Sequence, residues 1–270
     1  MNIHSRMKQV KIYTKTCFDI FAHERGWKIF ISAAIITLII CSVTSSDMFA
    51  EYRATQNGAF ALVCACIWIG IFNSIQSICK ERDIIKREHR SGMHISSYIA
   101  SHMIFEMVLC VVESIIVTVI ICIANHKNLP GKGVMLPAVL ELLINFFLII
   151  YSSDALGIMV SSIVKTPNTA MTVMPFVLIL QLVMSGMIFE LSGFTKQIAK
   201  LTVAKWGLNS ICITANVNSL DSLIPVEKVN EGYEFTVRNL TNMWLILAGF
   251  TLAYALIAVI SLKFIDRDKR

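Results

Sequence analysis

Six apolar stretches, each near or above the length needed to cross a bilayer, take up most of this 270-residue chain. They run from Trp27 to Thr44, Ala59 to Cys79, Tyr98 to Ile123, Val134 to Val164, Thr169 to Phe189 and Met243 to Leu262. A hydrocarbon core of roughly 30 Å needs about 20 apolar residues in a helix, which satisfies every backbone polar group internally. The expected fold class is an all-α membrane protein with six transmembrane helices. With 56% hydrophobic and 16% charged residues, little chain is left for a soluble domain. The first stretch follows a long basic region and precedes no small-residue cleavage pattern, so it reads as a retained span and not as a signal peptide.

Lysine and arginine set the expected orientation. Arg6, Lys8, Lys11, Lys15 and Arg25 precede the first stretch, Lys80, Arg82, Lys86, Arg87 and Arg90 follow the second, and Lys263, Arg267, Lys269 and Arg270 end the chain. Short loops on the other side carry only Arg53, Lys127 and Lys132. Both termini are expected in the cytoplasm of a multi-pass protein of the cell membrane. The net charge of +6 is thus a topology signal, and no folded basic domain is present for nucleic-acid binding.

Of eight cysteines, Cys17, Cys41, Cys64, Cys66, Cys79, Cys110 and Cys122 lie in or beside spans, where the thiol serves as a small apolar group. Cys212 falls in a predicted external loop, as a free thiol or as a bridge to a neighbouring subunit.

Residues 1–26 carry Val10, Tyr13, Cys17 and Phe21 at three- and four-residue spacing, with Lys8, Lys11, Lys15 and Asp19 on other faces. This predicts an amphipathic helix on the cytoplasmic membrane surface; the alternative is a solvated tail. Residues 27–270 hold the six spans. Within them, 80–97 read as a cytoplasmic helical hairpin, charged around Ile84 and Ile85 and interrupted by Gly92, or as an ordinary solvated loop. The external loop 190–242 begins semi-apolar, with Ile198, Leu201, Trp206, Leu208 and Ile211 placed to lie on the membrane surface or dip into it. Asp221 to Arg238 is expected to form an exposed strand-turn-strand cap.

Enzyme chemistry finds no footing. No GxxxxGK[ST] occurs, so this chain does not bind ATP in the P-loop manner. The histidines show no HExxH or HxxxH, no metal centre is expected, and His89, His94 and His102 read as interfacial polar residues. No catalytic residue is assigned. Ionisable groups inside spans are costly and default to functional hypotheses: Glu106 and Glu113 on the third, Glu141 and Asp154 on the fourth. Glu106 and Glu113 share one helix face. They read as a proton or cation relay or as hydrogen-bonding partners of neighbouring helices; the second reading is preferred because no lysine or arginine lies deep in a span. Asn73, Gln76 and Gln181 are open to the same two readings, cavity lining or interhelical hydrogen bonding.

Three stretches, ERDIIKREHRSGMHISSYIASHMIFE, SSDALGIMVSSIVKTPNTAMTVMPFVLILQLVMSGMIFELSG and AKWGLNSICITANVN, resemble the type-2 ABC export permeases, in the layout of their G subfamily. The resemblance runs from the amphipathic helix to the last span. It implies that Glu81, Arg82, Arg87, Glu88, Gly92 and Tyr98 belong to a coupling helix that seats in a groove of an ATPase. Glu106 matches the family's acidic residue entering the third span, although Met107 stands where the family has proline. Gly157, Ala170, Pro175, Ser185 and Gly186 match the small-residue and turn pattern of spans four and five, and Met187 and Ile188 take the place of an external apolar plug.

The implied function is the translocating subunit of an ATP-driven exporter of hydrophobic or amphipathic cargo such as lipid, drug or peptide. The ATPase is expected as a separate polypeptide that binds ATP and magnesium, so no cofactor is assigned to this chain. A second permease subunit, identical or homologous, is expected to complete the path, with Ile69, Asn73, Met174, Ile179 and Leu182 as its lining. The rival readings are a non-transporting membrane sensor or assembly component and, third, a membrane enzyme.

Overall fold

A computed structural model describes residues 6–44, 47–189, 192–220 and 231–263. The described residues form eleven α-helices: α1 Arg6–His23, α2 Lys28–Val43, α3 Tyr52–Ser74, α4 Ser77–Lys80, α5 Arg82–Arg90, α6 Ile95–Ala124, α7 Ala138–Ile163, α8 Pro167–Val183, α9 Gly193–Ala199, α10 Val203–Thr214 and α11 Val237–Lys263. No strand occurs among them. Each of the six apolar stretches is helical. Tyr52–Lys80, α6, α7 and α11 are long and apolar enough to cross a membrane, and α1 with α2 forms a fifth candidate bent by 73°. The apolar α8, with 17 residues, is shorter. The chain is therefore a multi-pass helical membrane protein.

Local chemistry sets the helix ends. α7 starts four residues later than hydropathy implies, because Pro137 precedes it and the Glu141 carboxylate turns back to accept the Met135 and Leu136 amides at 2.6 and 2.9 Å. Glu141 is thus a turn clamp in the first turn of the helix. α8 starts on Pro167, whose missing N–H costs nothing at that position, with the Thr166 hydroxyl accepting the Thr169 amide. It stops at Val183, short of the expected Phe189, since Gly186 adopts φ +82 in the Ser185–Gly186 turn. At the other bend Arg25 takes φ 55, and a Cβ on Gly26 would strike the Phe21 ring.

α7 is the hub, touching α3, α6, α10 and α11. Between helices in lipid there is little hydrophobic drive, so close approach of small residues carries the packing. Gly70 lets α3 meet the Ile150 carbonyl and the Asp154 amide of α7, and Gly157 of α7 makes room for the Ser74 hydroxyl. Ser74 Oγ donates to the Asp154 carbonyl at 2.8 Å, and Ser161 Oγ accepts the Ile78 and Cys79 amides at 3.1 Å. Asn145 then joins three helices: its amide donates to Thr214 Oγ1 at 2.9 Å on α10 and accepts Trp244 Nε1 at 2.6 Å on α11.

The segment after α8 departs from the expected surface loop. Nine of the twelve α10 residues are buried against the bundle, Leu208 and Ile211 among them, while Leu201 at its approach is exposed and Trp206 and Ile198 are half-buried. Gln181 of α8 caps this helix by accepting the Ala204 amide at 3.2 Å, which makes it an interhelical hydrogen bonder. The strand-turn-strand expectation also fails where it can be judged: 231–233 form a 3-10 turn, Val237 and Arg238 already belong to α11, and 221–230 lie outside the described residues. Tyr233 is buried and its hydroxyl accepts from Gln56 at 3.0 Å.

Cys212 is a free cysteine fully buried in α10, where burial pushes its thiol above the usual range. It is therefore placed neither to react with an aqueous reagent nor to reach a neighbouring subunit.

Gly70→Ala should cost about 1–3 kcal/mol of stability, because the obstructing atoms are backbone and cannot rotate away. Gly249→Ala on α11, where no atom lies within 4 Å, should be neutral or slightly stabilising. Thermal unfolding of both variants in detergent compares the two directly.

Candidate functional site: a hairpin clamped to three helices

The hairpin expected at 80–97 consists of α4, α5 and a turn at Gly92, where φ of +104 requires glycine. Ile85 is wholly buried and anchors α5 to the bundle, whereas Ile84 is 47% exposed.

Its charges are mostly engaged within the chain. The Tyr98 hydroxyl donates to Glu81 Oε2 at 2.5 Å, and His102 Nε2 lies 3.9 Å from the same oxygen. His102, expected as an interfacial residue, is 6% exposed and held between this carboxylate, the Tyr98 ring and the Cys17 thiol. Arg82 Nη1 donates to the Ser162 and Val164 carbonyls, both at 3.0 Å, and so closes the C-terminus of α7 with a cation where the helix dipole favours one. Glu88 Oε2 accepts the Tyr13 hydroxyl at 2.7 Å.

α1 supplies the third attachment. Its expected apolar face, Val10, Tyr13, Cys17 and Phe21, is the half-buried one, and it packs on α6 through edge-on contacts of Tyr13 with Tyr98 and of Phe18 and Phe21 with Phe105. Gln9 completes the joint: its Nε2 donates to the Gly92 carbonyl at 3.2 Å and its Oε1 accepts the His94 amide at 3.0 Å. One side chain thus satisfies both orphan groups of the turn into α6. Burial, with the Glu88 carboxylate beside it, raises the Tyr13 phenol above its usual range, and burial pushes the Cys17 thiol up to about 12. Sequence reasoning missed Gln9, Tyr13 as a donor, and Asn145. The available signal was an amide on the buried stripe of an otherwise amphipathic or apolar helix.

What remains outward on α5 is a ridge of Asp83, Ile84, Arg87 and Arg90 at helical spacing. Of the six residues assigned to coupling, Arg87 alone combines exposure with a charge; Glu81, Arg82 and Glu88 are half-buried, Gly92 forms the turn and Tyr98 is buried.

The residues assigned to the cargo path are dispersed. Ile69 and Met174 are buried at 3% and 7% exposure, Asn73 donates to Glu113 Oε1 at 2.6 Å, Leu182 is half-buried and Ile179 is 56% exposed. The buried stripe of α8 is Ala170, Met174, Leu178 and Gln181, with Val173 and Val177 half-buried against the core beside it. Met187 is half-buried in the turn after α8, its amide donating to Ser185 Oγ at 3.2 Å, and Ile188 is exposed. An apolar groove of about 630 Å³ lies elsewhere, between α6, α7 and α11. Glu106 and Glu113 are both buried on α6.

Tyr13→Phe should loosen α1 and α5 by about 1 kcal/mol, the usual net worth of such a hydrogen bond, without touching the α3–α7 contact. Amide hydrogen exchange should accelerate in Arg6–His23 and Arg82–Arg90 and stay unchanged in α7.

A curated relative, the ABC transporter ATP-binding/permease protein Rv1747 of Mycobacterium tuberculosis (strain ATCC 25618 / H37Rv), is 28% identical over 156 residues. That match covers 57% of this chain and 18% of the relative, so the chain corresponds to a small part of that protein. Residues 9–215 match the family described as ABC-2 type transporter, a stretch that runs from Gln9 on α1 through the hairpin to the end of α10, and the chain belongs to this family of transporter membrane domains.

Proposed function

We propose that this chain is the membrane-spanning permease subunit of an ABC transporter, and that it exports a hydrophobic or amphipathic cargo. The carrying observation is the hairpin. Clamped to α1, α6 and α7, it leaves a ridge, Asp83, Ile84, Arg87 and Arg90, for a partner to grip. We assign ATP and magnesium to a partner ATPase, proposed as a polypeptide of its own. Glu81, Arg82, Glu88 and Gly92 then act behind the contact by holding the ridge in register.

A second permease subunit completes the path. Support comes from the apolar faces that α2 and α8 leave uncovered, Ile35, Leu38 and Ile39 on one and Phe176, Ile179 and Leu180 on the other. In this reading α2, α3 with α4, α6, α7, α8 and α11 are six spans, both termini are cytoplasmic, and the piece between α8 and α11 faces outward. Ile179 and Leu182 face the cargo path, Ile69, Asn73 and Met174 form the wall behind it, and Met187 with Ile188 close it externally. An apolar lining suits a lipid, a drug or a hydrophobic peptide.

Orientation is tested with engineered thiols. Phe194→Cys, at a position 79% exposed on α9, should react with a membrane-impermeant maleimide in intact cells, and Arg87→Cys only after permeabilisation. Labelling in the reverse order would overturn the assignment. Coupling is tested by Arg87→Glu. An exposed substitution changes stability by about half a kilocalorie per mole, so the permease should fold and insert normally. Co-purification with a partner ATPase should nevertheless drop severalfold, because rim charges govern encounter and register. Unchanged association and cargo-stimulated hydrolysis would remove α5 from the interface.

A further inference from the structure

Glu106, Cys110 and Glu113 follow one another at four- and three-residue spacing, so they share one face of α6. Asp154 of α7 lies within electrostatic reach of both glutamates, and the Cys110 thiol lies within reach of all three carboxyls. Glu106 is 4% exposed, and Glu113 and Asp154 are wholly buried.

Their oxygens are largely unanswered. Asn73 serves one oxygen of Glu113, and the Ser74 hydroxyl goes to the Asp154 backbone carbonyl. Both carboxylate oxygens of Asp154, Oε2 of Glu106 and Oε2 of Glu113 lack a hydrogen-bond partner. The groups facing the cluster bring no countercharge. α3 offers Asn73, Ser74 and the Cys66 thiol. α7 offers Tyr151, whose hydroxyl donates to the Met103 carbonyl at 3.1 Å. α1 offers the Cys17 thiol, and on α6 itself His102 is turned toward Glu81. The Thr37 hydroxyl of α2 is bound to its own helix, and the buried phenol of α11, Tyr254, reaches the Leu201 carbonyl. Among the described residues no His, Cys, Asp and Glu group has the geometry to hold a metal ion.

Three ionised carboxylates in such a place are not sustainable. Each loses several kilocalories per mole of hydration, and each repels the other two. A proton is the ligand that removes the charge and at the same time converts an acceptor oxygen into a donor that can serve a neighbour.

We propose that Glu106, Glu113 and Asp154 form a buried proton-binding site between α3, α6 and α7, loaded while these helices are packed together. Separating α3 or α7 from α6 admits water, favours the carboxylates and releases the protons, so occupancy and packing are linked. Nothing in this site depends on the cargo or on the identity of the ATPase.

The test uses the full chain in detergent. Difference infrared spectroscopy of the wild type at neutral pH should show the carbonyl stretch of protonated carboxylic acids, and Asp154→Asn should lose part of that band. Unfolding in SDS at neutral pH, in weakly buffered solution, should release protons, with roughly one fewer per chain in Asp154→Asn. The sign follows from proton counting: the folded chain holds protons that the unfolded chain has lost at neutral pH, so thermal stability should fall as pH rises. Absence of the protonated-acid band from the wild type overturns the proposal without recourse to any variant. So does equal proton release by wild type and variant, or a stability that follows sodium concentration at fixed pH, which would put a metal cation where the proton is assigned.

Discussion

The contact of α3 with α7 is the constraint on which the other packing depends. Lipid tails are as apolar as leucine, so a bundle gains nothing by merely hiding its leucines from them. It gains by bringing backbones close and by pairing polar groups that have no water to turn to. Gly70 and Gly157 allow the approach, Ser74 uses it to donate across the seam, and Ser161 accepts two amides of α4 just beyond it. With α7 held on one side by α3, its remaining faces are offered to α6, α10 and α11, and Asn145 draws the last two in.

The same seam sets the position of the hairpin. Only Glu81 separates Arg82 from α4, and α4 is fastened through its Ile78 and Cys79 amides to Ser161, so the guanidinium falls where the α7 carbonyls end. A helix C-terminus gains from a cation in any protein, and here it also fixes a lever. Glu81 to Tyr98 and Glu88 to Tyr13 add two further attachments, on α6 and α1. In the proposed transporter a push on the Arg87 ridge therefore cannot rotate α5 alone. It moves α1, α6 and the end of α7 as one piece, which is the mechanical requirement of a coupling element.

Hydropathy made the apolar helices legible, since a segment surrounded by lipid or by other helices has no polar face to confuse the count. The spacing of Val10, Tyr13, Cys17 and Phe21 likewise gave the packed face of α1, because one side of that helix meets protein and the other does not. Reading failed where tertiary packing overrides local polarity. α10 carries Ser210, Asn209 and Thr214 and looks like surface text, yet it is inserted into the bundle with Thr214 bonded to α7 and Ser210 bonded to α7 and to its own turn. Cys212 was misplaced for the same reason. The charges of α5 were legible as a hairpin but not as intramolecular clamps, because Arg82 meets its carbonyls 80 and 82 residues away in sequence. The cargo path was the least legible: in the proposed transporter its lining is shared with a second subunit, and a shared lining leaves no period in one chain.

Polar groups in these helices fall into two kinds, and the difference carries more information than their number. Asn145 and Gln181 are answered, Asn145 with donors and acceptor all placed and Gln181 through its carbonyl, and each joins helices that would otherwise touch only through methyl groups. Such residues are the expected glue of a membrane bundle. Asp154 sits one turn from the tightest glycine contact of the fold with neither carboxylate oxygen answered. Packing alone would select an asparagine or an alanine there, since either avoids the cost of a buried acid. A carboxyl in that position makes sense when its charge state changes, and the two glutamates facing it from α6 ensure that the change is shared among three groups rather than confined to one.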